Sequence, residues 1–340
     1  MIIDLRSDTV TKPTPEMLEA MASASLGDDV FAQDPTVNEL QSIAADMFGM
    51  EAGLFCPSGT MSNQIAIKAL TQPGDEVICD EGAHVHYYEG GGIAFNSACT
   101  TKPLKGNRGV FTSEQLIEAL RPSDVHFPRT SLISIENSCN RGGGKVFDFD
   151  EIKRIRKVCN DKDLKLHLDG ARLFNAIEAS KEKPSDFGNL FDSISICLSK
   201  GLGAPVGSVL LGSNEMIQRA RRIRKVLGGG MRQAGVIASA GIYALKNNVE
   251  RIKTDHAVAK KLEALLSSCN AVSSVWKVET NIIVFELDSK VSPTAFLEHL
   301  ATFDIHAFQV GPNHVRFVTH LDLPDETDQL LSSALDSFSA

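Results

Sequence analysis

The sequence predicts an α/β protein built around a mostly parallel sheet with helices on both faces. Six short apolar runs alternate with longer amphipathic stretches, which is typical of strands and helices that follow each other along a chain. The apolar runs cover residues 53–56, 76–79, 131–135, 165–168, 193–198 and 208–211. From about residue 270 the pattern changes to strand, helix, strand, strand and helix. We therefore expect a large domain over residues 1–250 and a small C-terminal α+β domain over residues 251–340.

Helix signals accompany this pattern from the N-terminus onward. Thr14 is expected to cap a helix that begins at Pro15, because proline is favoured at the first helical position. Thr36 and Glu39 have the spacing of a capping box, which predicts the start of a second helix reaching Phe48. Later amphipathic stretches predict helices over residues 61–70, 150–160 and 213–227, and from 233 past 246.

Composition excludes several classes of function. The 340 residues are 43% hydrophobic and 23% charged, with a net charge of -9, which argues against general binding of nucleic acid. No apolar run is long enough to span a bilayer, and the N-terminus lacks the apolar core of a signal peptide. The seven cysteines are scattered without metal-binding spacing, which favours reduced thiols and a cytoplasmic protein.

Polar or small residues follow five of the predicted strands. These clusters are residues 58–60, 81–84, 136–137, 169–172 and 199–201. In a mostly parallel sheet, ligands bind beyond the carboxyl ends of the strands. The five clusters therefore predict one active site at a single edge of the sheet.

Lys200 stands where an apolar run ends, and a glycine-rich stretch follows it. An amine kept from water at such a place is a nucleophile, as in Schiff-base lysines. Gly201 and Gly203 would then leave the backbone room beside a bulky cofactor. The alternative is a lysine that merely ends a strand and points to solvent. The segment by itself does not separate the two.

Asp169 stands at another predicted strand end, and Arg172 follows three residues later. A carboxylate there could bond the protonated ring nitrogen of a pyridine cofactor and keep the ring an electron sink. Arg172 could clamp a substrate carboxylate through two hydrogen bonds. Alternatively, Asp169 and Arg172 pair with each other at the start of a helix.

Two further strand ends carry candidate ligand groups. Ser58, Gly59 and Thr60 stand before a predicted helix, where hydroxyls and free amides could cradle a phosphate; a capped turn without a ligand is equally compatible. His84 could stack on a pyridine ring. It forms an H-x-H pair with His86, but no third ligand has convincing spacing, so no metal site is expected.

The roles of His126 and of several basic residues are not decided by the sequence pattern. A lone histidine such as His126 is more often structural than catalytic. Arg316 alternates with apolar residues on a predicted strand, so it could face inward toward a carboxylate or outward toward water. A basic tract is spread around a helix, and with Arg232 it could reach an anion, including one across a subunit boundary. The tract consists of Arg219, Arg221, Arg222, Arg224 and Lys225.

Taken together, these segments resemble the fold-type-I pyridoxal-phosphate enzymes, and within them the low-specificity L-threonine aldolases. The matching segments are residues 4–11, 27–30, 34–37, 58–60, 83–84, 126–127, 167–172, 199–207, 228–233 and 316–320. The resemblance implies a mostly parallel seven-stranded sheet sandwiched by helices, with a small C-terminal domain. It also implies a homotetramer, arranged as a dimer of dimers with active sites shared between subunits.

The resemblance assigns a role to each cofactor-site residue. Lys200 would form the Schiff base with pyridoxal 5'-phosphate, Asp169 would bond its ring nitrogen, and His84 would stack on the ring. Ser58, Gly59 and Thr60 would hold the phosphate. Arg172 would lie at the cofactor, and a neighbouring subunit would contribute Arg232.

The resemblance also assigns substrate contacts and a reaction. Ser7, Arg172 and Arg316 would hold the amino-acid carboxylate, with Tyr88 and His126 near the β-hydroxyl group. The enzyme would cleave L-threonine, L-allo-threonine and related β-hydroxy-α-amino acids to glycine and an aldehyde. The base would be His84, His126 or a water held by them.

Three other functions remain compatible with the sequence. A β-eliminating lyase would use the same frame but release ammonia and a keto acid. A serine hydroxymethyltransferase-like enzyme would need a folate site, for which the sequence gives no separate signal. A catalytically silent cofactor-binding protein is disfavoured by the intact set of Lys200, Asp169 and Arg172.

Overall fold

The computed structural model describes residues 2–338. The strands are β1 (Ile3–Asp4), β2 (Ala52–Cys56), β3 (Glu76–Asp80), β4 (Thr100–Leu104), β5 (Thr130–Glu136), β6 (Lys165–Gly170), β7 (Ser193–Cys197), β8 (Ser208–Gly212), β9 (Val272–Val275), β10 (Ile282–Leu287), β11 (Ile305–His306), β12 (Phe308–Gln309) and β13 (His314–Val318). The α-helices are α1 (Pro15–Ala22), α2 (Pro35–Phe48), α3 (Gly59–Leu70), α4 (His84–Tyr87), α5 (Gly92–Ser97), α6 (Ser113–Ala119), α7 (Phe149–Asp161), α8 (Leu173–Ser180), α9 (Pro184–Gly188), α10 (Asn214–Val226), α11 (Gly235–Asn247), α12 (Ile252–Ser268), α13 (Pro293–Thr302) and α14 (Thr327–Ser337). Among residues 2–338, no helix is both long and apolar enough to cross a membrane.

A seven-stranded sheet forms the centre of the molecule, in the order β2-β8-β7-β6-β5-β3-β4. Strand β8 runs antiparallel to both of its neighbours, and the other adjacent pairs in the sheet are parallel. The interior strands are buried on both faces, as expected for a sheet covered by helices. The predicted α/β class is therefore confirmed, and the carboxyl ends of six strands meet at one edge.

One strand was missed, and the start of one helix was predicted at the wrong residue. Strand β4 was not predicted, because this edge strand is largely solvent-accessible and lacks an apolar run. Helix α2 begins at Pro35 and not after Thr36. Its cap is Asp34, whose carboxylate accepts a hydrogen bond from the backbone N–H of Val37 at 3.0 Å. By contrast, Thr14 caps α1 as predicted, accepting from the N–H of Met17.

A smaller antiparallel sheet lies in the C-terminal region, in the order β12-β13-β10-β9. The N-terminal strand β1 pairs in parallel with β11, and Ile3 and Leu5 share an apolar core with Phe285 and Phe317. The start of the chain is thus anchored in the C-terminal region. The boundary at residues 250 and 251 stays a prediction.

The N-terminal segment then runs from this small sheet to the edge of the large one. The hydroxyl of Thr11 donates to the carbonyl of Lys200 at 3.2 Å, and the N–H of Lys12 donates to Asp322 at 2.8 Å. These contacts bring the short 3-10 helix Asp8–Val10 beside the carboxyl ends of the strands. Residues from both ends of the sequence therefore contribute to the same place.

Candidate active site

A cavity of about 270 Å³ lies at the carboxyl edge of the large sheet. Its lining includes the predicted cofactor residues Ser58, Gly59, Thr60, His84, Asp169 and Lys200, together with Pro57, Asn63, Ala171, Ser195, Cys197, Ser199, Pro205 and Val206. The strand-end clusters that follow β2, β3, β6 and β7 thus converge, as the sequence pattern predicted.

Lys200 lies in the turn that follows β7, with its side chain half-buried. Its carbonyl accepts hydrogen bonds from the N–H of Gly203 at 2.8 Å and from Thr11. Gly203 has φ +77°, and a Cβ there would lie 2.4 Å from Leu321. The close packing of Gly203 against the C-terminal segment is a separate reason for glycine there, and the expectation that Gly201 and Gly203 make room for a cofactor stays a prediction.

Asp169 is buried in β6 and does not pair with Arg172. One carboxylate oxygen accepts from the side-chain amide of Asn63 at 2.9 Å, and the other accepts from the N–H of Ala171 at 3.1 Å. The alternative of a helix-start ion pair between Asp169 and Arg172 is thus not what the chain forms.

His84 begins α4, one turn beyond the end of β3. Its Nδ1 lies 2.8 Å from a carboxylate oxygen of the buried Glu89. Burial opposes a charge on the ring, but the hydrogen bond that the ring donates to Glu89 and the negative charges of Asp169, Glu89 and Glu136 outweigh it. The pKa of His84 is therefore raised above its ordinary value.

The N-terminus of α3 points into the same cavity. Ser58 caps this 12-residue helix by accepting from the N–H of Met61 at 3.2 Å, and Gly59 and Thr60 form its first turn. A helix N-terminus favours an anion, since its first amides lack partners within the helix. A lysine amine, a buried carboxylate, a histidine ring and a helix N-terminus thus fit a phosphorylated pyridine aldehyde.

Arg172 forms a buried ion pair with Asp8. Its Nε and Nη2 donate to the two carboxylate oxygens at 2.8 and 2.7 Å. Burial alone would raise the pKa of Asp8, but the charge and hydrogen bonds of Arg172 lower it to about 2. The Nε and Nη2 donors of Arg172 are therefore occupied by Asp8, and its predicted contact with a substrate carboxylate stays a prediction.

Arg316 approaches Arg172 from β13 in the small sheet. Both guanidinium groups donate to the side-chain oxygen of Asn140, at 3.0 Å from Arg316 and 3.3 Å from Arg172. The Nε of Arg316 is buried, and it has no hydrogen-bond partner among the described residues. Burial and the nearby charge of Arg172 lower the pKa of Arg316. This spare donor makes Arg316 the more available of the two arginines for a carboxylate.

Ser7 and Tyr88 lie at the border of this region. Ser7 is buried, and its Oγ accepts from the N–H and hydroxyl of Thr9 at 3.2 and 2.9 Å. Tyr88 is half-exposed, and its ring lies 5.7 Å from that of His84. It lines a second cavity of about 420 Å³ with Arg316 and Arg141, and its hydroxyl accepts from Arg141.

His126 and Arg232 do not line the cavity in the single chain. His126 lies in the exposed loop before β5, next to Asp124, at the amino ends of the parallel strands. Arg232 is exposed and paired with Asp28 at 2.8 Å. Their predicted roles stay predictions, and each would need a neighbouring copy of the chain.

Two arginines of the basic tract in α10 form ion pairs with Asp29 of the same chain. Arg224 is buried, pairing with Asp29 at 2.5 Å and donating to the carbonyl of Phe55. Arg221 lies 3.7 Å from the same Asp29. These two members of the tract therefore hold the loop before α2 against the sheet.

Potential metal-ligand atoms come together only in part. Atoms of His84, Glu89 and Asp169 lie within 4.8 Å of one another, whereas His86 is not part of this group. Two of these three residues, His84 and Asp169, are also predicted to contact the cofactor. The expectation that the chain holds no metal stays a prediction.

Glu136, at the end of β5, supports both halves of the site. Its two carboxylate oxygens accept from the backbone N–H groups of His84 and Asn140, at 2.6 and 2.7 Å. Burial and the charge of Asp169 raise its pKa to about 7, against the opposing effect of those two hydrogen bonds. A single side chain thus holds the start of α4 and the loop that carries Asn140.

No role was predicted for five residues that hold the predicted groups in place, although Glu136 lies in one of the strand-end clusters. These are Asp8, Asn63, Glu89, Glu136 and Asn140. Asn63 is one of three consecutive polar residues that α3 buries, and Glu89 stands directly before three glycines.

Comparisons with known proteins agree with this architecture. The chain matches the family model described as beta-eliminating lyase over residues 4–290. It is 41% identical to the low specificity L-threonine aldolase of Escherichia coli K12 over 326 residues, which is 96% of each chain. It is 38% identical to low-specificity L-threonine aldolase 1 of Arabidopsis thaliana over 325 residues, 94% of this chain and 91% of that protein.

A solved structure agrees with the fold. The threonine aldolase of Leishmania major superposes with a TM-score of 0.84, covering 98% of each chain at 21% sequence identity. At that identity the superposition supports the fold alone, whereas the matches in sequence extend through every segment of the cavity. The chain therefore belongs to the beta-eliminating lyase family of pyridoxal-phosphate enzymes, within its low-specificity L-threonine aldolase group.

Proposed function

We propose that the protein cleaves L-threonine, L-allo-threonine and related β-hydroxy-α-amino acids to glycine and an aldehyde. The observation that carries this proposal is the convergence of Lys200, Asp169 and His84 on one cavity. The 41% identity to a low specificity L-threonine aldolase over 96% of the chain supports the same reaction.

The cavity would hold pyridoxal 5'-phosphate. Lys200 would bind its aldehyde carbon, Asp169 its ring nitrogen, and the α3 N-terminus with Ser58 and Thr60 its phosphate. When bound, the cofactor supplies an electron sink for the pair released as the Cα–Cβ bond breaks. The chain's own residues orient the substrate and move the protons.

Substrate orientation would depend on the carboxylate-binding side of the cavity. Arg316 has a buried Nε without a partner among the described residues, while Arg172 already holds Asp8. Arg316 would therefore make the main contact with the substrate carboxylate, with Asn140 and the carbonyl of Arg6 fixing its guanidinium group. Holding the carboxylate selects which bond at Cα is broken, since orientation is a large part of catalysis.

Proton transfer would be the work of His84. Its Nδ1 is engaged by Glu89, so Nε2 remains to accept the proton of the β-hydroxyl group. Loss of that proton lets the aldehyde leave, and a proton added at Cα completes glycine. His84 accepts a proton only in its neutral form, so activity should rise as the pH rises through its raised pKa.

Arg232 and His126 would join the site only in an oligomer. Both are exposed in the single chain. We propose a homotetramer in which neighbouring subunits complete each site, in the cytoplasm where the seven free thiols would stay reduced. Sedimentation velocity on the purified holoenzyme tests the tetramer, and a monomer with full activity would contradict the shared site.

Product analysis tests the reaction itself. The holoenzyme is offered L-threonine and L-allo-threonine in parallel, and glycine, acetaldehyde, ammonia and keto acids are quantified. Equal amounts of glycine and acetaldehyde are expected from at least one substrate. Ammonia with a keto acid would instead identify a β-eliminating lyase, the reaction that the family's description names.

A further inference from the structure

Two buried carboxylates share one side-chain amide behind the cavity. The Nδ2 of Asn63 lies 2.9 Å from Glu89 and 2.9 Å from Asp169. An amide NH₂ has two hydrogens, so it can donate one to each carboxylate. Asn63 therefore links Glu89, which is the hydrogen-bond partner of His84, to Asp169, which is predicted to face the pyridine nitrogen.

The oxygen of the Asn63 amide contacts a second buried polar pair, His167 and Ser193. The Asn63 Oδ1 lies 3.2 Å from Nε2 of His167, whose Nδ1 lies 2.8 Å from the hydroxyl of Ser193. Burial lowers the pKa of His167 to about 4, so the ring stays neutral at ordinary pH. The two carboxylates accept from the NH₂ of Asn63, so its oxygen faces His167, and a neutral His167 then carries its proton on Nε2 and accepts from Ser193 at Nδ1.

Glu89 accepts hydrogen bonds from three side chains. Besides His84 Nδ1 and Asn63 Nδ2, it accepts from Nε2 of Gln64 at 2.6 Å. The residue is buried and does not line the cofactor cavity. An ionised carboxylate only accepts hydrogen bonds, so His84 must carry its proton on Nδ1.

The chain around Glu89 is shaped to permit these contacts. Gly90 and Gly91, both with positive φ, form a tight turn directly after Glu89, in which the N–H of Gly92 donates to the carbonyl of Glu89 at 2.9 Å. A Cβ at Gly92 would lie 2.5 Å from the Gln64 side chain, so a larger residue there would displace the amide that donates to Glu89. Gly92 thus leaves room for one of the three hydrogen bonds to this carboxylate.

We propose that Glu89 is a positioning residue that holds His84 with its proton on Nδ1 and its Nε2 free for the substrate, and that Asn63 couples this pair to Asp169. The proposal rests on the proposed aldol cleavage for its kinetic consequence. The arrangement of the four side chains does not depend on it. The carboxylate of Glu89 also favours the protonated ring, so together with the charges of Asp169 and Glu136 it raises the pH at which His84 becomes a base.

The variant Glu89→Gln tests the positioning role in the holoenzyme. Glutamine presents an NH₂ donor to partners that are themselves donors, and it removes a negative charge beside His84. We expect kcat to fall about 10- to 100-fold, as for partners behind other active-site histidines, with KM changed less than about threefold. We also expect the acidic limb of the pH profile of kcat/KM to move to lower pH, by about one unit.

Asn63→Asp is the complementary variant, because it adds a negative charge at nearly constant shape. The acidic limb of the pH profile of kcat/KM should move to higher pH, opposite to its movement in Glu89→Gln. Glu118→Gln is the matched control, since Glu118 is exposed on α6 outside the cavity and its loss should leave both kcat and the pH profile unchanged. Unchanged limbs in both variants, or shifts in the same direction, would overturn the proposal.

A second readout separates this proposal from the proposed reaction. Exchange of the imidazole C–H hydrogen, followed by mass spectrometry, reports the pKa of His84 in the resting holoenzyme without any substrate. We expect that pKa to fall in Glu89→Gln and to rise in Asn63→Asp, even if threonine is not cleaved. An unchanged pKa of His84 in both variants would refute the role of Glu89 whether or not the enzyme proves to be an aldolase.

Discussion

The two sides of the active site are built in different ways. On the cofactor side, Lys200, Asp169 and His84 follow strands of a single sheet, and their places are set by that sheet. On the carboxylate side, Asp8 and Arg316 come from opposite ends of the sequence: Asp8 pairs with Arg172, and Arg316 donates to Asn140, which also accepts from Arg172. The cofactor side is thus determined by topology, and the carboxylate side by a buried electrostatic network.

This difference predicts different responses to substitution. A change on the cofactor side should remove chemistry and leave the fold intact, because the sheet does not depend on the substituted side chain. A change on the carboxylate side should affect substrate affinity and stability together, because the same groups join the N-terminal segment to the sheet edge. The following substitutions are arranged from the largest expected effect to the smallest.

Lys200→Ala should abolish multiple turnover, a loss of at least about 1,000-fold in kcat. The side chain is half-buried and its backbone contacts do not require the amine, so the Tm should change little. Steady-state kinetics and calorimetry on the same sample measure the two effects. Near-normal turnover in this variant would remove Lys200 from the mechanism.

Arg316→Gln should reduce kcat/KM by about 100-fold, mainly through a higher KM. The reason is that a charge-assisted contact to a substrate carboxylate is worth about 2–3 kcal/mol. Arg222→Gln, at an exposed position of α10, is the matched control and should have no effect. A normal KM in Arg316→Gln would place the carboxylate elsewhere.

Asp8→Asn should destabilise the protein by about 3 kcal/mol, because it leaves the buried charge of Arg172 without its partner. Asp161→Asn, which breaks an exposed pair with Lys157, should cost less than about 0.5 kcal/mol. Denaturant unfolding of both variants gives the comparison. The folded pKa of Asp8 is about 2, so its contribution is present above its ordinary pKa and is lost as the pH falls toward 2. Equal losses in the two variants would show that burial of the Asp8 pair is unimportant.

Glu136→Gln should have the smallest effect, which depends on pH. A carboxyl group whose folded pKa is raised to about 7 stabilises the fold below its ordinary pKa and loses that stability as the pH rises through 7. The wild-type protein should therefore lose Tm between about pH 5 and pH 7, and Glu136→Gln should lose less. Parallel Tm curves for the two proteins would contradict the raised pKa.

The cofactor side was largely predictable from the sequence, and the carboxylate side was not. Apolar runs identified the strands, and the rule that parallel strands present their carboxyl ends together identified Lys200, Asp169 and His84 as neighbours. Arg172 and Arg316 were identified as candidates, but the partner of Arg172 is 164 residues away in Asp8. No local pattern reports a contact of that separation.

The same limit explains the missed supporting residues. Glu89 lies in the short connection between α4 and α5, and Asn63 lies in α3. Neither local sequence indicates that these side chains meet His84 and Asp169. The edge strand β4 was missed because its residues are partly exposed and show no apolar run. Local chemistry therefore predicted the residues that line the cavity better than the residues that hold them in place.

Covalent mapping of the cofactor tests the central claim most directly, namely that the cavity at Lys200 is the catalytic centre. The purified protein is loaded with pyridoxal 5'-phosphate, reduced with borohydride, digested and analysed by mass spectrometry. We expect the yellow colour to be bleached and a phosphopyridoxyl group to be found on the peptide that contains Lys200. A modification at another lysine, or a protein that stays colourless with added cofactor, would contradict the account.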